Sequence, residues 1–158
     1  MTNQANPVPE GYQSVAPYLI VRGGADALAF YQQAFGATEL LRLYHPSGLI
    51  SHAELLIGDS TVMLTDEKPD FPDMRSPQAL GGSPAHLHLY VADADAVINA
   101  ALAAGAALLM PATDQGEDRR GGVTDPFGHV WWIATRIEQV SREELQRRYD
   151  AARDQQPA

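Results

Sequence analysis

The chain has 158 residues, 45% of them hydrophobic and 20% charged, with no cysteine and a net charge of −9 from 11 basic and 20 acidic side chains. This composition excludes disulfides, thiolate metal sites and a cysteine nucleophile, and it argues against nucleic acid or an anionic membrane as partner, since both need a positive surface. No apolar run approaches the ~18 residues that cross a bilayer, and the start, MTNQANPVPEGYQ, is neither basic nor apolar, so a cytoplasmic protein is expected.

In chain order, Ser14–Val21 (SVAPYLIV) is rich in β-branched and aromatic residues and stops at Arg22-Gly23-Gly24, which predicts a strand and a turn. Ala25–Phe35 carries Leu28, Tyr31 and Phe35 at helical spacing, with Gly36 placed for a left-handed cap. Thr38–Tyr44 predicts a second strand, and His45-Pro46-Ser47-Gly48 a turn that leaves His45 exposed. Ile50–Ile57 and Thr61–Thr65 predict a hairpin through Gly58-Asp59. Residues 67–84, rich in Pro, Gly and Ser, read as a linker. The order then repeats, with strand Ala85–Val91 and helix Asp93–Ala104, for which Asp93 or Asp95 is the N-cap and Gly105 the stop. Strand Ala107–Pro111 follows, then a loop and a hairpin turning at Asp125-Pro126-Phe127-Gly128. Arg119-Arg120-Gly121-Gly122 reads as the loop of that hairpin, either an exposed turn or a clamp for an anionic group. Ser141 with Glu144 three residues on forms a capping box and predicts a polar, solvated helix over 141–153.

The repetition extends to identity. Residues 25–37 (ADALAFYQQAFGA) and 94–106 (ADAVINAALAAGA), 69 positions apart, share six of thirteen residues. A repeat of this kind sets the architecture. The prediction is one α+β domain over 1–158, made of two tandem βαβββ modules, 14–66 and 85–136, whose curved mixed sheets surround a cleft with the helices on the outer face. Modules of about 70 residues are marginal alone, so they should share a core or a sheet. The linker is long enough for packing within one chain or exchange between two.

Strand alternation sorts the side chains. Ala53, Leu55, Ile57, Val62, Leu64, Leu87, Leu89 and Val91 should face helices, and Trp131 belongs with them. The opposite face collects Tyr18, His52, Glu54, Met63, His86, His88, Tyr90 and Trp132, a set too polar for a dry core and too aromatic for plain surface, and these are the candidate ligand-binding residues. Trp132 either offers a platform to a planar or cationic guest or fills the cavity. His52 and Glu54 either pair along their strand or each find a cross-strand partner. His129 reads as an imidazole capping its turn. No nucleophile is in view, so no catalytic residue is assigned.

The doubled order, together with LIVRGGADALAFYQQAFGA, LHLYVADADAVINAALAAGA, HAELLIGDSTVMLTDE and DPFGHVWWIAT, resembles the vicinal oxygen chelate superfamily of glyoxalases, bleomycin-resistance proteins and extradiol dioxygenases over residues 14 to 136. The resemblance implies metal positions on the first and last strands of each module, and these fall at Ala16, Met63, His86 and Trp132. Only His86 there can bind a divalent ion, so no metal and no cofactor are expected. A site relocated to His52, Glu54, His86 and His88, supporting a lyase or dioxygenase-like enzyme, is the alternative. The resemblance further implies a homodimer. The expected function is binding of a small organic molecule, cationic or aromatic, in a pocket between the modules, with resistance by sequestration as its biological form.

Overall fold

The computed structural model describes residues 5–155. Alternating apolar residues in each half produce a four-stranded sheet with a helix on one face. The first module runs β1 (Tyr18–Val21), α1 (Gly24–Phe35), β2 (Thr38–Tyr44), β3 (Ile50–Ile57) and β4 (Ser60–Asp66), in the sheet order β1-β4-β3-β2. A short helix, α2 (Pro77–Leu80), capped by the Ser76 hydroxyl, interrupts what the sequence predicts as plain linker. The second module runs β5 (His86–Tyr90), α3 (Ala94–Ala103), β6 (Ala107–Gln115), β7 (Asp118–Thr124) and β8 (Val130–Arg136), in the order β5-β8-β7-β6. β1 lies parallel to β4, and β5 to β8; every other pair is antiparallel. The C-terminal helix α4 (Arg142–Asp154) begins at Ser141, whose hydroxyl accepts from the Glu144 N–H at 3.2 Å.

Three boundaries depart from the sequence prediction. β1 starts at Tyr18 rather than Ser14, because Pro17 offers β4 only a carbonyl, which Met63 N–H takes at 2.8 Å. β6 continues to Gln115 through two register shifts. Arg119-Arg120-Gly121-Gly122 is not a loop but the middle of β7, and the paired glycines mark close approach on both faces of that strand. A Cβ on Gly121 would stand 2.6 Å from Ile98 on α3, and one on Gly122 would stand 2.9 Å from the Trp132 ring.

Both helices are anchored at their N-termini by side chains from the last strand of their own module. The Asp66 carboxylate accepts from Gly23, Gly24 and Ile50 N–H groups at 3.0, 2.7 and 2.8 Å. Thr135, 69 residues on, accepts from Ala94 N–H at 2.8 Å and donates to the Val91 carbonyl at 3.0 Å. Asp93, one of the two predicted caps, accepts from Ala96 N–H at 3.0 Å, while Asp95 pairs with Arg119.

The modules keep separate sheets and share a core. Phe30, Tyr31 and Phe35 of α1 pack against Phe127 and Trp131 of the second module, with the Phe35 and Trp131 rings 4.7 Å apart. Trp131 is buried, as the alternation requires. At the centre of this junction lies Asp125, 3% exposed, whose carboxylate accepts four hydrogen bonds. Tyr31 OH donates at 2.5 Å, Trp131 Nε1 at 2.9 Å, and the Phe127 and His129 N–H groups at 2.9 and 3.0 Å. Burial, with Asp125 beside it, pushes the Tyr31 phenol well above its ordinary value, so it remains a donor. His129 adds a second tie. Rather than capping its turn by its ring, it donates from Nε2 to the Ile20 carbonyl of β1 at 3.1 Å.

Asp125→Ala would strand four buried donors, and the expected cost is about 3–5 kcal/mol, against about 1.5–3 kcal/mol for Tyr31→Phe, which removes one bond to the same carboxylate. Urea-unfolding midpoints with unchanged slopes would measure both losses, and equal losses would contradict the shared-node assignment.

Candidate functional site

A cleft of about 700 Å³ is lined by β1 and β5, the strand at one edge of each sheet. Its floor is apolar, formed by Leu19, Ile57, Val62, Leu87 and Trp131, and Tyr18, His86, His88 and Tyr90 stand on its walls. The register explains the placement. β1 bonds to β4 through Pro17, Leu19 and Val21, so Tyr18 and Ile20 turn their backbone groups to the open edge. By the same logic β5 bonds to β8 through Leu87, Leu89 and Val91 and leaves His86 and His88 outward. Thr61 also borders the cleft, with a buried hydroxyl that has no partner among the described residues.

The other four predicted site residues lie beside the cleft rather than in its lining. On the first sheet, Glu54 and Tyr18 both pair across strands with Met63. Glu54 is buried and receives His52 Nε2–H at 2.9 Å and the Tyr12 hydroxyl. His52 and Glu54 thus pair along their strand. The Tyr12 hydrogen bond, then that of His52, holds the Glu54 carboxyl below its ordinary value, and the same contact raises the Tyr12 phenol. Tyr18 meets the His52 ring edge to face at 5.7 Å, which links this cluster to the cleft wall. His45, predicted exposed, is half-buried between Ser47 and Asp70.

On the second sheet, Trp132 pairs across strands with His88 on one side and Gly122 on the other. Its Nε1–H donates to His86 Nδ1 at 3.1 Å, which leaves His86 Nε2 as the nitrogen free to meet a guest. The Arg120 guanidinium lies 5.7 Å above the indole. His88 packs against Tyr90 at 4.7 Å. Burial first, then the charge of Arg120, lowers the His88 pKa from 6.5, with Asp118 opposing.

Of the four metal positions that the fold implies, Met63 and Trp132 carry no suitable donor, Ala16 falls outside β1, and His86 accepts from the indole. Nor do the alternative ligands converge: among the described residues no three His, Asp or Glu side chains form a metal-ligating group. This donor set does not fit a divalent ion.

Sequence reasoning passed over Tyr12, Thr61, Arg120 as a partner of Trp132, and Gly122. Tyr12 precedes the first strand in a segment without periodicity, and Gly122 was hidden in a dipeptide that reads as a turn.

The arrangement defines a protein with a ligand-sized cleft between repeated βαβββ modules. Residues 12–133 match the glyoxalase/bleomycin resistance protein/dioxygenase superfamily, and the chain belongs to it. It is 42% identical over 136 residues to an uncharacterised protein of Mycobacterium tuberculosis, covering 84% of this chain and 80% of the relative. Similar solved structures include a gene product of Arabidopsis thaliana, with 28% identity, a TM-score of 0.62 and coverage of 78% of this chain and 98% of that one. A protein of Pseudomonas aeruginosa gives 26% identity, a TM-score of 0.65 and coverage of 80% and 99%. No helix among the described residues is long and apolar enough to cross a membrane.

Folded His88 resists protonation, so stability contributed by its neutral form is present above its unfolded value near 6.5 and is lost as pH falls through that value towards the lower folded one. Arg120→Gln should raise the His88 pKa, and Asp118→Asn should lower it. Imidazole titration by NMR measures both, and movement in the opposite directions would contradict the assigned charges.

Proposed function

We propose that the protein binds a small organic molecule in the cleft between its modules, with a planar apolar part of the guest against the walls and the histidines supplying polar contacts. The observation that carries this reading is the cleft itself: about 700 Å³, apolar at its floor, with Tyr18 from one module and His86 and His88 from the other on its walls. Trp132, beside the cleft, acts on the guest through the wall, because its N–H fixes the ring of His86 and Gly122 yields the space its indole needs. The net charge of −9 favours a guest that is not strongly anionic at this site, and sequestration of such a compound is the biological role that this reading entails. The poor donor set favours binding over a metal-dependent lyase or dioxygenase reaction.

The protein is also proposed to act as a homodimer. The edge strands β2 and β6 expose Leu41, Leu43, Leu108 and Leu109, and open edges with exposed apolar side chains are normally covered by a partner. Light scattering should give about twice the chain mass of 17.1 kDa, and a monomer at micromolar concentration contradicts the proposal.

Tryptophan fluorescence, titrated with aromatic and cationic metabolites beside metal analysis of the purified protein, tests the binding reading. Quenching without stoichiometric metal is expected. Trp132→Ala should weaken the ligand found in this way by about 1–3 kcal/mol at modest cost in stability, whereas Trp131→Ala should cost about 3–5 kcal/mol of folding stability. Equal and severe destabilisation by both would contradict the assigned faces, and one equivalent of bound transition metal would favour the enzyme.

A further inference from the structure

A second recess, of about 1010 Å³, opens between the β6–β7 turn and α4, apart from the cleft. Its lining reverses the charge balance of the molecule, with five of the chain's 11 basic side chains against three carboxylates. Those carboxylates are already engaged. Glu117 and Asp118 both hold Arg136, at 3.0 and 2.6 Å, and Asp114 turns to Arg119 at 3.0 Å. Arg148 is bound by Glu138 and Glu144, whose carboxyls it holds below their ordinary values together with Arg147 at Glu144. Arg120, Arg142 and Arg153 therefore reach the recess with no carboxylate partner among the described residues.

These guanidiniums are not all loose. Arg120 lies over the Trp132 ring and donates from Nη2 to Gln115 Oε1 at 2.7 Å, while its buried Nε has no acceptor among the described residues. Arg153 lies 5.8 Å above the Tyr149 ring. Planar donors held against aromatic rings suit the tetrahedral, multiply charged oxygens of phosphate, which accept paired N–H groups. Three cations with no carboxylate partner among the described residues surround one concavity, in a chain that carries nearly twice as many acids as bases; they raise the local concentration of small anions there while the surrounding field repels extended polyanions.

We propose that this recess is an anion-binding site for a phosphate-bearing small molecule, with Arg120, Arg142 and Arg153 supplying the charge and Tyr149 an aromatic face beside it. It is independent of the cleft ligand. Arg120 lines the recess and not the cleft, yet its charge lowers the His88 pKa, so an anion in the recess lies within electrostatic reach of that wall residue.

The test titrates the full-length protein, in phosphate-free buffer, with inorganic phosphate and with phenyl phosphate, read by calorimetry and amide NMR. Binding that perturbs Gln115, Arg120 and α4 is expected. R142Q/R153Q should weaken it by about tenfold or more, while R22Q/R147Q, which removes the same two charges outside the recess, leaves it unchanged. R142Q alone carries the same test with a smaller loss if the pair compromises folding, as judged by its melting transition. Tighter binding of phenyl phosphate identifies an aromatic phosphate ester as the ligand class, and equal binding identifies recognition of the phosphate group alone. Either supports the site. Absence of binding in the millimolar range, or equal loss in the two double variants, overturns it.

Discussion

One buried carboxylate fixes how the two halves of this chain meet. Asp125 sits in the turn between β7 and β8 and is surrounded by donors from its own turn, from Trp131 and from Tyr31 of the other module. A buried charge is tolerated only when its lone pairs are filled, and here each oxygen takes two hydrogen bonds. That requirement gives the junction its geometry. The residue equivalent to Tyr31 in the second module is Ala100, so the clamp exists once and breaks the symmetry of the repeat. Because the clamp and His129 draw α1 and β1 towards the second module, β1 and β5 come to border one cleft, with neither sheet closing against the other.

The duplicated scaffold then diverges at equivalent positions. In the first module Glu54 stands across from Met63, and the hydrogen bonds it accepts from Tyr12 and His52 satisfy its carboxylate and favour the ionised form. In the second, Gly122 stands across from Trp132 and yields the space that the indole occupies. One shoulder of the cleft is thus a carboxylate–imidazole–phenol cluster and the other an indole with a guanidinium above it. Of the four positions that family resemblance reserves for metal ligands, three carry Ala16, Met63 and Trp132, and His86 alone is not an adequate donor set for a divalent ion.

Much of this was legible in the sequence, and the limits are physical. The 69-residue offset gave the module order, and alternation in Ile50–Ile57, His86–Tyr90 and Val130–Arg136 sorted core from open face, including Trp131 from Trp132. What alternation could not supply is the lateral position of a residue on its face. All eight candidates share the open side, yet only Tyr18, His86, His88 and Tyr90 border the cleft, because that depends on which strand forms the edge of each sheet. Gly121 and Gly122 misled because two glycines signal a turn and close packing equally well. The bond between Tyr12 and Glu54 spans 42 residues and leaves no local trace.

The edge-to-edge cleft held by Asp125 is the proposed place of ligand binding. The five histidines are distributed so as to test it directly, since His86, His88 and His129 border the cleft, His52 lies behind Tyr18, and His45 sits at a distant turn beside Asp70. Imidazole NMR resonances followed while an aromatic ligand is added should move for His86, His88 and His129, weakly for His52 and not for His45. Shifts confined to His45, or a saturable ligand that leaves the three cleft histidines unmoved, would contradict the account.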